Sequence, residues 1–409
     1  MEKLLVIGAG IGQVNIVRLA KAMNIYVAVV SPKGNYPAID YADELFECDI
    51  YNRDIIVEYA KQKGFTAVIS DQNDLMMPTV AYVAEKCGFP GNTFDQVQSY
   101  CNKDRFRHIC IEVGVPVPAN ITVTDSSVPI GFNISFPWIV KPIDSQSSMG
   151  ISKINDINEY VSAVNNALSF SRERKVIVEQ FFTGDEVVCE GFVYNGKYYN
   201  IFFGDRRYFS ETLVPAQTLF PSKLDKKVQD KIVEYEKKIT SHIDPSFGII
   251  HSEYLVNKET GDICIVESAI RGGGVYISSH LIPLATGIDV NVLLIKCALG
   301  RSVDLESNFS NIKRFASGYV CFTLPEGVIS EIKGIEKVLE IPGVKMCDIR
   351  DLEEGQKTHK MTAKGMRKGP IIIYGENRSD LEYSINKIIS TINIKVKTKD
   401  GRIMNAIWS

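Results

Sequence analysis

The feature that most limits how this chain can fold is the alternation of short apolar runs and helical periods over its first 95 residues. Residues 4–7 read as a buried-type strand, Gly8-Ala9-Gly10-Ile11-Gly12 as a tight turn, and residues 13–22 as a helix. A second strand follows at 26–30, another at 67–70 and another helix at 80–86. Strands separated by helices predict a parallel sheet with helices on its faces. The glycine turn invites a dinucleotide reading. However, Gln13 stands where the last glycine of G-x-G-x-x-G belongs, and Val30 runs into Ser31-Pro32-Lys33 with no acid to hold a ribose. A nicotinamide-dependent dehydrogenase is therefore disfavoured, and the turn is read as one that lets helix pack on strand.

With 409 residues, 45% hydrophobic and 23% charged, the chain has enough apolar material for two or three packed domains. A formal net charge of −3 argues against nucleic acid as a partner, while leaving room for a small anion held by local Lys and Arg. The nine cysteines are scattered, with no C-x-x-C pair, which fits buried thiols in a reducing compartment better than zinc. No apolar run approaches the roughly 20 residues that span a bilayer, and the start is too short and acidic for a signal peptide. A cytoplasmic protein without membrane association is expected. From about Thr93 the pattern changes. A helix containing Asn102-Lys103-Asp104-Arg105 is followed by strands and hairpins up to about Glu190, and residues 224–241 carry one apolar helical face. After about Val303 strands and helices mix again, with a strand at 370–374 and a helix at about 380–389.

Four pieces carry chemistry. Ile249-Ile250-His251-Ser252-Glu253-Tyr254 and Ile263-Cys264-Ile265-Val266-Glu267 read as strands joined by a turn-forming stretch centred near Thr260. In that register Glu253 and Glu267 face each other about 5 Å apart, which is unfavourable unless a cation sits between them. Carboxylate oxygens suit Mg²⁺, above all Mg²⁺ that carries substrate phosphates; the alternative is two unrelated surface glutamates. His251 points to the same side as Glu253, to orient substrate, act as a base or pack as a core histidine. Second, Phe136-Pro137-Trp138-Ile139-Val140-Lys141 delivers a lysine into Asp144-Ser145-Gln146-Ser147-Ser148-Met149-Gly150, whose backbone N–H groups can ring a phosphate if the stretch is more than a hairpin turn. Third, the strand ending Glu179-Gln180-Phe181-Phe182 bends at Thr183-Gly184, with an exposed acid, Glu186, beyond it. Such a bend can meet an adenine edge and the acid a ribose, although bends of this composition are common. Fourth, Arg271 and Gly272-Gly273-Gly274 follow Glu267, and an arginine there can fork onto a carboxylate or phosphate or lie on the surface before a flexible turn.

The ordered set NKD, VKP with a Ser/Gly loop, VEQFFTGDE, HSEY and VESAIR resembles the ATP-grasp superfamily over nearly the whole chain. The branch is the one with biotin carboxylase, carbamoyl-phosphate synthetase, phosphoribosylglycinamide synthetase and the L-amino acid ligases. The resemblance implies an α/β and α+β ATP-grasp fold. Residues 1–95 would form a Rossmann-like domain, 96–303 an ATP-grasp domain with a lid at about 115–185, and 304–409 a C-terminal αβ domain. It implies ATP and Mg²⁺ as cofactors. Lys103 and Lys141 would contact phosphates and Ser147, Ser148, Met149 and Gly150 would close over them. Glu179, Gln180, Phe181 and Phe182 would form the adenine hinge, and Glu186 would hold the ribose. Glu253 and Glu267 would ligate metal, while Arg271, with Gly272, Gly273 and His251 nearby, would attend the substrate. The family usually has Asn two residues after the second metal glutamate, where this chain has Ala269, so a second metal ion is in question. The implied activity joins a small carboxylate, activated as an acyl phosphate, to an amine. The runner-up is a purine-pathway or carbamoyl-phosphate-type ligase, and relatives that resemble this chain often form homodimers.

Overall fold

A computed structural model describes residues 2–128, 134–145, 148–210, 212–310, 312–361 and 364–409. The expected alternation at the start builds a four-stranded parallel sheet in the order Glu44–Glu47, Tyr26–Ser31, Lys3–Ile7, Ala67–Ile69. Three of its strands, Tyr26–Ser31, Lys3–Ile7 and Ala67–Ile69, are nearly continuous buried runs rich in Val, Leu, Ile and Ala because both faces are covered. Helices Arg53–Lys63 and Met77–Cys87 cover one face. Helix Ile11–Ala22 covers the other and packs on helix Val290–Ala298 from much later in the chain, so the apolar clusters of the two regions merge. Met76 lies against the glycine turn: a Cβ on Gly8 (φ +90°) would meet its side chain at 2.3 Å.

The region expected to be one helix around Asn102 is two. Helix Phe94–Cys101 ends and helix Lys103–Glu112 begins at Asn102, whose side chain accepts from the Arg105 N–H as an N-cap. Next comes a four-stranded antiparallel sheet in the order Asn120–Val123, Val176–Gln180, Trp138–Pro142, Ser152–Ile154. Against it lies a helix, Tyr160–Phe170, that the expected run of strands and hairpins omitted; Tyr160, Ala163, Val164, Ala167 and Leu168 supply its apolar face.

The central element is an eight-stranded antiparallel sheet in the order Ile263–Ala269, Phe247–Val256, Asp185–Tyr194, Lys197–Tyr208, Pro215–Phe220, Ala316–Phe322, Lys368–Gly375, Val344–Cys347. It takes strands from both sides of residue 303, so the last hundred residues extend the same sheet that carries the acidic ribbon. A small four-stranded sheet with Gly327–Lys333 and Asn393–Lys397 at its centre closes the C-terminal part over its own apolar cluster. Among the described residues no single helix is long and apolar enough to cross a membrane.

Candidate active site

Strands Phe247–Val256 and Ile263–Ala269 place Glu253 opposite Glu267 and His251 opposite Ala269, the register the turn residues imply. A bulge just past Glu253 lets Tyr254 pair with Ile265, which resets the strand beyond the two acids. The neighbouring strands add what local sequence does not reveal. Arg206, on Lys197–Tyr208, is buried with its Nη1 2.7 Å from Glu186 and in a short ion pair with Glu253. Burial by itself would raise the Glu253 pKa, but Arg206 and then His251 hold it well below the usual carboxylate range. Glu186 is pushed upward by its own burial and the Glu253 charge. The exposed acid expected at 186 is thus a buried one: alternation along its strand turns it to the charged face, where Arg206 and the Tyr208 hydroxyl hold it.

The lysines converge from the other side. Lys103 sits at the N-terminus of its helix and donates to the Ser145 carbonyl at 2.7 Å. Lys141, at the end of Trp138–Pro142, is buried 2.5 Å from Glu179 Oε2. Glu179 Oε1 takes the Arg107 Nε at 2.6 Å. Burial disfavours its charge, yet Arg107 and Lys141 hold its pKa down to about 2. The Glu179 side chain is therefore a clamp between two cations at the wall of the cavity. At the bend itself the Gln180 N–H donates to the Ala119 carbonyl and the Phe181 N–H to the Pro137 carbonyl, while Lys153 lies over the Phe181 ring at 3.8 Å. In the small loop Ser148 adopts φ 60° and Gly150 φ 72°, and a Cβ on Gly150 would meet Pro142 and Phe170 at 2.9 Å. Met149 is exposed; Ser147 lies outside the described residues.

These groups line one cavity of 660 Å³ with two ends. Ile139, Ile151, Phe181, Phe182, Leu255 and Val266 make an apolar slot. Lys103, Lys141, Arg206, Lys364, Glu253 and Glu267 make a charged pole. Lys364 comes from the C-terminal part, and burial drives its pKa down while Glu253 opposes that shift. The cavity is of the size and mixed lining that take a nucleotide-sized ligand. The Arg206 Nε is buried without a protein partner.

Arg271, Gly272, Gly273 and His251, expected beside the substrate, are not among the residues that line this cavity. Arg271 forks onto Asp74 at 2.9 and 2.7 Å, because a buried guanidinium next to a half-buried carboxylate gains two charge-assisted bonds. The glycines bring backbone close to the protein's own groups. The Gly272 N–H donates to Asp71 Oδ1, and a Cβ on Gly273 would lie 2.9 Å from His251 Nδ1. His251 stands between Glu190 (2.5 Å) and Glu253 (3.4 Å); burial opposes its charge, but Glu190 raises its pKa to about 9.

Sequence reasoning missed Arg206, Lys364 and Arg107. Alternation along 204–208 puts Arg206 and Tyr208 on one face and could have flagged Arg206; Lys364 and Arg107 carry no local signal.

Residues 134–279 match the family model of the ATP-grasp domain, and residues 320–397 that of L-amino acid ligase C-terminal domain 2. A D-alanine–D-alanine ligase of Ruminiclostridium cellulolyticum is 27% identical over 213 residues, 46% of this chain and 53% of that protein. A carbamoyl phosphate synthase large chain of Thermoanaerobacter pseudethanolicus is 22% identical over 283 residues, 64% of this chain and 24% of that one. The chain thus spans about half, or less, of the length of these curated relatives. Among solved structures, an L-amino acid ligase from Bacillus licheniformis superposes with a TM-score of 0.81 at 19% identity, covering 96% of this chain and 98% of that one. A phosphoribosylglycinamide synthetase from Anaerococcus prevotii does so with a TM-score of 0.75 at 20% identity, covering 97% and 100%. At these identities the likeness is one of fold.

Proposed function

Because the chain carries an ATP-grasp domain followed by an L-amino acid ligase C-terminal domain 2, we propose that it is an ATP-dependent ligase that activates a small carboxylate and couples it to an amine. The observation that carries this reading is the pairing of Glu253 with Glu267 across one ribbon, with Lys103, Lys141, Arg206 and Lys364 around the same cavity. The adenine lies in the slot between Ile139, Ile151, Phe181 and Leu255, and the triphosphate at the charged pole. Two carboxylates fit a Mg²⁺ ion that takes its remaining oxygens from phosphate and water. Among the described residues no group of three or more His, Cys, Asp or Glu is arranged to hold a metal without such help. When bound, the ion would neutralise phosphate charge, with Glu253 and Glu267 as its protein ligands.

The chain's own residues position and neutralise. A substrate carboxylate oxygen attacks the γ-phosphorus and the bond to the β–γ bridging oxygen breaks, releasing ADP and leaving an acyl phosphate. The amine nitrogen then attacks the acyl carbon, phosphate departs, and the nitrogen loses a proton to solvent. Phosphoryl transfer asks mainly for in-line placement and charge stabilisation, and Lys103, Lys141, Arg206 and Lys364 supply the charge. Arg271, through Asp74, and His251, through Glu190 and Glu253, are positioning residues. Ser145, Ser148, Met149 and Gly150 would close over the phosphates and keep water from the acyl phosphate.

The test is ADP release with MgATP across amino acids and small acids, with hydroxylamine present to trap the acyl phosphate as a hydroxamate. Acid-dependent ADP release with hydroxamate formation is expected. Binding of nicotinamide dinucleotide without ATP, or ADP release that no acid stimulates, would overturn the reading.

A further inference from the structure

A second cavity, of 200 Å³, opens off the first at Lys103, Ser145 and Glu267, which line both. It is smaller than the roughly 300–1,000 Å³ of drug-sized sites, so its occupant is a small molecule. One end lies at the charged pole where the phosphoryl group would be transferred. Tyr51, Arg53 and Arg172 mark the other. Three of the four lining carboxylates have partners: both Asp74 oxygens take Arg271, Asp144 Oδ2 takes the N–H groups of Arg172 and Glu173, and Glu173 takes the Asn102 amide, while Glu267 faces the charged pole. The two arginines, by contrast, enter none of the ion pairs among the described residues. The Arg53 Nε donates to the Thr79 hydroxyl and its guanidinium lies 4.9 Å from the Phe94 ring centroid, while that of Arg172 lies 3.3 Å from the Tyr51 ring centroid. Each keeps hydrogen-bond donors for a ligand.

Independent support comes from orphaned polar atoms. The hydroxyls of Tyr51 and Tyr100, the Arg107 Nη1 and the Asp144 Oδ1 are buried without a protein partner, and all four residues line this cavity. Tyr100 is 5% and Arg107 1% exposed. Buried polar atoms normally have partners, so four orphans on residues around one space mark its walls as polar; three are donors and the fourth, Asp144 Oδ1, is an acceptor.

Resting on the ligase reading, we propose that this cavity holds the acid substrate. It selects acids with a second anionic group, carboxylate or phosphate, which Arg53 and Arg172 bind while the reacting carboxylate lies near Lys103 and Glu267. An arginine fork favours planar or tetrahedral oxyanions through paired charge-assisted bonds.

Calorimetric titration with matched probes tests this: succinate against butyrate, and 3-phosphoglycerate against glycerate. The member with two anionic groups in at least one pair is expected to bind at least about 10-fold more tightly. Arg172→Gln, an exposed position that leaves the core untouched, and Arg53→Gln should erase that preference while MgADP binding persists and reports an intact fold. Equal binding within both pairs, or a preference that survives both substitutions, would overturn the assignment. A preference without acid-stimulated ADP release sinks the ligase reading and leaves the cavity assignment standing. Acid-stimulated ADP release without the preference does the reverse.

Discussion

Single residues divide into those that face the charged pole and those that hold them there. Glu267 faces it, so Glu267→Gln should lower the Mg²⁺-dependent rate of ADP release at least about 10-fold, the scale for loss of a group that orients a metal. Lys258→Ala, on the exposed turn of the same ribbon and paired only with exposed Asp185, should change that rate by less than about 2-fold. Equal effects in steady-state kinetics would remove the metal assignment. Glu179 belongs to the second class. Its folded-state pKa of about 2 lies below its ordinary value of 4.5. The stability it contributes is therefore present above pH 4.5 and is lost as pH falls toward 2. The difference is on the order of 3 kcal/mol at most. Urea unfolding between pH 5 and pH 3 should show wild-type stability falling more steeply than that of Glu179→Gln, which is less stable at pH 7 because Lys141 and Arg107 lose their shared anion.

At the scale of elements, the helix Lys103–Glu112 places its first residue over the cavity because Asn102 caps it. Asn102→Ala should cost about 1 kcal/mol of stability and raise the KM for ATP several-fold, since Lys103 is the first helical residue. Asn102→Asp should retain both, and denaturation and kinetic measurements check this. The acidic ribbon shows how much of the site was legible. A turn-rich stretch between two apolar runs is a local signal, and the period of two in a strand carries it to Glu253 and Glu267. The strand that pairs on the other side of Glu253 was not legible in the same way. Arg206 reaches Glu186 and Glu253 from 20 and 47 residues away, through two successive antiparallel pairings. The split at Asn102 and the helix Tyr160–Phe170 were missed because caps and short amphipathic helices are weak signals beside apolar strand-like runs.

In the whole molecule, Asp71 ties the N-terminal sheet to the region after the ribbon. Its oxygens accept from the Gly272 N–H, the Ser278 hydroxyl and the Asn291 amide, all out of solvent. Asp71→Ala leaves three buried donors unpaired and should destabilise the protein by about 3 kcal/mol or more in denaturant unfolding. Lys364 belongs to this scale too, because the C-terminal part brings it to the pole. Lys364→Met should weaken MgATP binding about 10-fold by calorimetry, the loss expected when a charged donor to phosphate is removed, and Lys364→Arg should recover part of it.

What the chain's order of residues determined by itself was local: the alternation that makes a parallel sheet, the ribbon that opposes two acids, the lysine at a strand end. Each follows from periodicity and turn chemistry within about twenty residues. What only tertiary structure decided was partnership: that Glu186 is buried against Arg206, that Arg271 belongs to Asp74, that Lys364 completes the pole and that His251 lies between Glu190 and Glu253. Charge pairing depends on distances of a few ångströms and on exclusion of water. Neither is set until strands far apart in the chain lie side by side in one sheet.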